Sequence, residues 1–242
     1  MTPWNLAETD ALVRTLFGVD QERLAQASTR SVNDRKNFAA YHFTEAMRLS
    51  RDFERRHLSD TETMLDFHAQ AAERKRQAFE RYMIKAGAHS LAAVQSIHAL
   101  PDILAHAIYF AAGQNLKPDA LAEGDIALPR VSAALKKDVS FSALSAPLDK
   151  LQSGAGWQHL AAVCNMSKHR SVVRSMLSED WTGTRKNLRE LHVSPFVRLN
   201  VPFPAKSLKD LLEPEYDRIS VAILEIGHKL NSCLRAVAEH FP

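Results

Sequence analysis

Apolar positions along this chain recur mostly at three, four or eight residues, the spacing of one face of an α-helix. A first helix is predicted over about residues 3–17 with Gly18 as its stop, and a second, long one from near Ser31, with Asp34 three residues on as its entry signature. On that second helix Phe38, Ala46, Leu49 and Phe53 form an apolar stripe flanked by Phe43 and Met47, and Arg48, Arg51, Arg55 and Arg56 point elsewhere. Ser59 with Glu62 has the pattern of a capping box, after which Met64, Phe67, Ala71, Ala78, Tyr82 and Met83 carry a third helical stripe. Gly87 and Pro101 interrupt it, so residues 60–112 are expected to form two helices or one kinked helix, with a break near Gly87.

Residues 113–130 hold Gly113, Pro118, Gly124 and Pro129 among polar residues, which is surface-loop chemistry. Helices of about 130–152 and 155–178 follow, parted by Ser153-Gly154-Ala155-Gly156. Between about 188 and 204 the alternation shortens toward two, as in a small β-hairpin. A last helix is expected from near Pro214, with Glu213, Glu215 and Asp217 at its N-terminal end and Ile219, Ile223, Ile226, Leu230, Leu234 and Val237 as its apolar face. The fold class expected is an all-α bundle of about six to seven helices, one domain over residues 1–242, with the hairpin before the C-terminal helix.

Composition narrows the class. Hydrophobic residues make up 45% and charged residues 24%, ordinary globular usage, and the net charge of +3 permits nucleic acid without implying it. Cys164 and Cys233 lie far apart and suggest neither a disulfide framework nor a zinc knuckle. The N-terminus lacks a basic start and an apolar run, and no stretch approaches the ~18 apolar residues of a membrane span, so a cytoplasmic protein without a membrane partner is expected. Gly-rich phosphate loops and internal repeats are absent. Trp4, Trp157 and Trp181 read as core or interface aromatics.

Chemistry concentrates around Cys164-Asn165-Met166-Ser167-Lys168-His169-Arg170. Asn165 and His169 stand four apart on one helix face, His159 lies upstream, and Arg174 lies downstream, a set suited to binding phosphate or carboxylate. A second set, His98, Asp102 and His106, recurs at four-residue steps, but its ends are ~12 Å apart along a helix, too far for one metal ion. Its better role is to support the first set, with Asp102 orienting His169 or Lys168. Looser pairs of Arg and His occur at Arg35/His42, Arg51/His57, Arg185/His192 and Arg235/His240, about as often as chance supplies them.

The run Asn165-x-x-Lys168-His169-Arg170, together with Ser96-Ile-His-Ala-Leu-Pro-Asp-Ile-Leu-Ala105 as the preceding helix, resembles the HEPN domains (higher eukaryotes and prokaryotes nucleotide-binding) over about residues 35–180. The resemblance implies an RNA-associated protein, a metal-independent endoribonuclease of toxin or defence type that acts as a homodimer. In it His169 and Asn165 are the catalytic pair, and Lys168, Arg170 and Arg174 bind RNA phosphate. Asp102, His98 and His159 stand behind them. No metal or other cofactor is implied. Active members carry arginine where this chain has Cys164, and a neutral thiol cannot make a guanidinium's bidentate contacts to phosphate. That departure keeps open the alternative, a non-catalytic module that binds a partner protein, such as an antitoxin, or a nucleotide ligand.

Overall fold

Eight α-helices form among the described residues of the computed structural model, which are 2–58, 63–185 and 187–240. They are α1 (Leu6–Phe17), α2 (Val19–His57), α3 (Met64–Gln70), α4 (Glu73–Ala111), α5 (Leu128–Lys137), α6 (Ser145–Asp149), α7 (Ala155–His169) and α8 (Leu208–Glu239). Five short strands lie between α7 and α8: β1 (Ser175–Glu179), β2 (Arg189–Val193), β3 (Phe196–Arg198), β4 (Val201–Phe203) and β5 (Lys206–Ser207). The described residues are 73% helical, an all-α bundle in character with a small antiparallel sheet near the C-terminus.

Two compact units divide the chain: Met1–Lys36, Ala99–Trp157 and Glu215–Pro242 make unit 1, and Asn37–His98 with Gln158–Pro214 make unit 2. In unit 1, α1 is capped by Asn5, whose side chain accepts from Glu8 N, and it stops at Gly18, which has φ +91°. Arg14 reaches past that stop to pair with the buried Glu22 at 2.6 Å. Thr9 donates to Asn231 at 2.6 Å and receives the Trp4 indole N–H at 2.9 Å, which ties α1 to α8. Trp4 lies flat enough on α8 that a Cβ at Gly227 would overlap its ring.

In unit 2, Phe53, Phe67, Phe79 and Tyr82 form an aromatic core, with Phe53 and Tyr82 stacked at 4.7 Å. Thr63 and Asp66 close a capping box on α3, and Met64 N donates to Glu179 of β1 at 2.8 Å. The capping pair expected at Ser59 and Glu62 lies outside the described residues. Strand β2 is central, antiparallel to β1 (Leu177 opposite Leu191) and to β5 (His192 opposite Ser207). Strands β3 and β4 form a separate hairpin whose turn, Leu199-Asn200, has positive φ at both residues.

Several elements depart from the sequence reading. Helix α2 starts at Val19, well before Ser31, because Ala25, Val32, Ala39, Ala46 and Phe53 repeat every seven residues, all at most 5% exposed. Phe38, expected in that stripe, is 50% exposed. Helix α4 passes through Gly87 and Pro101 unbroken, and the break falls at Ala71-Ala72 instead. Burial of Ala86, Ala93, Val94, Ile97 and Leu100 outweighs the ~1 kcal/mol that glycine costs a helix. The helix expected over 155–178 ends at His169, and its remainder becomes β1. Helix α8 begins at Leu208 and carries Pro214 inside it, with Ser207 as the residue that accepts Asp210 N. Trp181 is 65% exposed and so is not a core aromatic. Helix α4 also holds an 18-residue window long and apolar enough to cross a membrane, and 56% of that window is buried inside the protein.

Candidate functional site

The α7 motif splits into an inward and an outward half. Cys164 is fully buried, and burial pushes its thiol pKa up against the pull of the Lys168 ammonium. The position that carries arginine in the resembling family therefore points into the core. Asn165 is half-buried, while Lys168, His169 and Arg170 are exposed at the end of α7, where cations also suit the helix dipole. The chain then turns: Arg170 N and Ser171 N both donate to Met166 O at 3.0 Å, and Val173 N donates to Ser167 Oγ at 3.1 Å. Arg174, exposed, enters β1 from this turn. Among the described residues no carboxylate pairs with Lys168, Arg170 or Arg174, whereas Arg48 of α2 is held by both Glu45 and Asp52.

The supporting residues are engaged elsewhere. Asp102 belongs to unit 1, where its Oδ1 accepts Leu128 N at 3.1 Å and caps α5. His98 is half-buried on α4, in unit 2. His159 sits ten residues before His169 on α7, ~15 Å along the helix, and its ring packs on the stacked pair Phe196 and Phe203 of the hairpin. Only 7% exposed, it leaves Nε2 without a hydrogen-bond partner, and burial first, then the Lys206 charge, pushes its pKa down. Of the loose Arg and His pairs, Arg185 and His192 do meet, at 3.3 Å, with Arg185 also donating to Ser178 Oγ. Among the described residues no group of three or more His, Cys, Asp or Glu is placed to hold a metal ion.

A second cluster in unit 2 escaped the sequence reading. Tyr82 donates to Ser50 Oγ at 3.1 Å, and Ser50 donates to Glu54 Oε1 at 3.0 Å. Burial, more than the opposing Ser50 hydrogen bond and Arg189 charge, raises the Glu54 pKa. Behind it Arg189 and Glu179 pair at 3.0 Å, each side chain 5% exposed. Ser50 and Glu54 sit at i and i+4 on α2, a spacing visible in sequence; nothing local announces that Tyr82 and Arg189 converge on them from far along the chain. Compared with family models, curated proteins and solved structures, the chain matches none.

Proposed function

We propose that this chain is a cytoplasmic, HEPN-like, RNA-associated module that grips RNA phosphate with Lys168, Arg170 and Arg174 around His169. One observation carries the reading: these three cations are exposed on a single helix end and the turn after it, and no described carboxylate neutralises them. Unpaired, outward cations on a short arc are what a phosphate backbone selects, with each neutralised phosphate releasing counterions. Exposed Trp181, beyond the far end of β1, offers a face on which a base can stack.

In this reading one protomer carries only part of the family's composite cleavage site. His169 lies on an open surface, and Cys164, at the position where the resembling family carries its arginine, is turned inward, so that position supplies no guanidinium to steady a transition-state phosphate. Cleavage in this reading requires a homodimer in which a second copy supplies that cation. The buried Cys164 favours the non-catalytic form of the module.

The test is binding of a short labelled single-stranded RNA at several salt concentrations. The triple variant Lys168→Ala/Arg170→Ala/Arg174→Ala is expected to bind at least about tenfold more weakly, with the slope of log K against log salt reduced by about 2, near 0.7 per lost phosphate contact. Unchanged affinity and slope in the triple variant overturn the reading. Incubation of the same RNA in chelator then separates its two forms. Cleavage by wild type but not by His169→Ala assigns a nuclease, and binding without cleavage assigns the module.

A further inference from the structure

We propose that a polar cavity of about 550 Å³ in unit 2, bordered by α2, β2 and the start of α8, binds a small phosphate monoester bearing hydroxyl groups, of the sugar-phosphate kind. It is separate from the α7 turn and rests on no part of the RNA reading.

Glu54 defines one requirement of the ligand. Its Oε1 receives Ser50, and Ser50 in turn receives Tyr82, so both hydrogen bonds point toward the carboxylate and the hydrogens of Tyr82 and Ser50 are committed. No described residue donates to Glu54 Oε2. A carboxylate oxygen of a half-buried glutamate on a cavity wall, without a donor among the described residues, is matched by a hydroxyl donor on a ligand. Asn187, exposed on the same lining, donates to Glu190 Oε1 of that lining at 3.4 Å and leaves its amide oxygen to accept from a neighbouring hydroxyl.

Cations on two other borders define a second requirement. Arg51 of α2 makes no ion pair with a described residue, and Lys209, in the first turn of α8, has only a 3.9 Å approach to Glu213. Ser207, which accepts Asp210 N as the cap of α8, keeps its own hydroxyl hydrogen for a ligand, beside the positive end of a 32-residue helix. Arg189 adds no net charge because Glu179 neutralises it, and that buried pair stiffens the β2 wall. A ligand that meets both requirements is anionic at one place and rich in hydroxyls at another.

The described residues that line the cavity include no aromatic ring, so a nucleobase has nothing to stack on. Met47, Leu188 and Leu191 offer aliphatic patches suited to the C–H face of a sugar. The volume lies within the range of small-molecule sites, roughly 300–1,000 Å³.

Isothermal titration with ribose 5-phosphate, glucose 6-phosphate, ribose and inorganic phosphate tests the assignment. At least one sugar phosphate is expected to bind about tenfold or more tightly than inorganic phosphate, and ribose alone more weakly still. Glu54→Gln should erase the advantage over inorganic phosphate while leaving phosphate binding in place. Arg51→Ala/Lys209→Ala should weaken both, with affinity partly restored in Arg51→Lys/Lys209→Arg. Circular dichroism confirms that each variant is folded. Neither sugar phosphate binding better than inorganic phosphate, or affinities unmoved by Glu54→Gln in a folded protein, overturns the proposal.

Discussion

Tyr82 of α4 donates its phenolic hydrogen to Ser50 Oγ of α2 across 3.1 Å, and both side chains are buried. Burial raises the Tyr82 pKa to about 12, so at neutral pH the phenol is a donor and the hydrogen-bond chain through Ser50 ends on Glu54. Two hydroxyls thus serve one carboxylate that the fold has drawn partly out of water. Such an arrangement costs stability when the carboxylate is charged, and this gives it a measurable signature.

Glu54→Gln is expected to raise the melting temperature at pH 7 by about 1–3 °C, since an uncharged amide accepts from Ser50 without the desolvation penalty. The sign follows from the raised pKa: the folded state holds the Glu54 proton more tightly than the unfolded state, so stability falls as pH rises from the unfolded value through the folded one. The gain from Glu54→Gln should therefore vanish in melts near pH 4. An equal gain at both pH values would show that Glu54 carries no such penalty.

His159 has the opposite dependence. Burial against Phe196 and Phe203 lowers its pKa, so the unfolded chain takes up the proton first, and the stability that neutral His159 contributes is lost as pH falls below about 6.5. Between pH 7.5 and 5 the wild type should lose a few degrees of melting temperature, with amide exchange rising first in β3 and β4. His159→Leu should flatten this part of the pH profile. If the leucine variant follows the same profile as wild type, another group is responsible.

Leu199 adopts φ +50° in the β3–β4 turn, a conformation that costs a residue with a Cβ roughly 1–2 kcal/mol. Leu199→Gly removes that strain, and the side chain it deletes is 77% exposed, so little packing is lost. A gain of about 1 kcal/mol in chemical denaturation is expected, less the backbone entropy glycine adds to the unfolded chain. A loss of more than about 1 kcal/mol would mean that the exposed leucine makes contacts worth more than the strain it imposes.

The part of the fold legible in sequence is the part governed by neighbours. Gly18 stops α1 because only glycine takes its φ of +91° without strain, and the two-residue alternation around 188–204 does form strands. Gly87 and Pro214 misled for the same reason that makes them useful signals elsewhere: their penalties are local and of order 1–3 kcal/mol, less than the burial gained along helices of 39 and 32 residues. The α7 motif was legible as a run of letters, and so was the shared helix face of Asn165 and His169. That Cys164 turns inward while Lys168, His169 and Arg170 turn out depends on which side of α7 the rest of unit 2 covers.

Periodicity, caps and turn residues in the sequence determined that this chain is helical, roughly where its helices stop, and where its few strands lie, because those choices are settled within a turn or two of backbone. Tertiary structure alone decided that Tyr82, Ser50, Glu54 and Arg189 share one cluster and that Asp102 caps α5 in unit 1. Hydrophobic burial is non-directional, and it brings together residues far apart in the chain according to how whole faces pack, which no local pattern encodes.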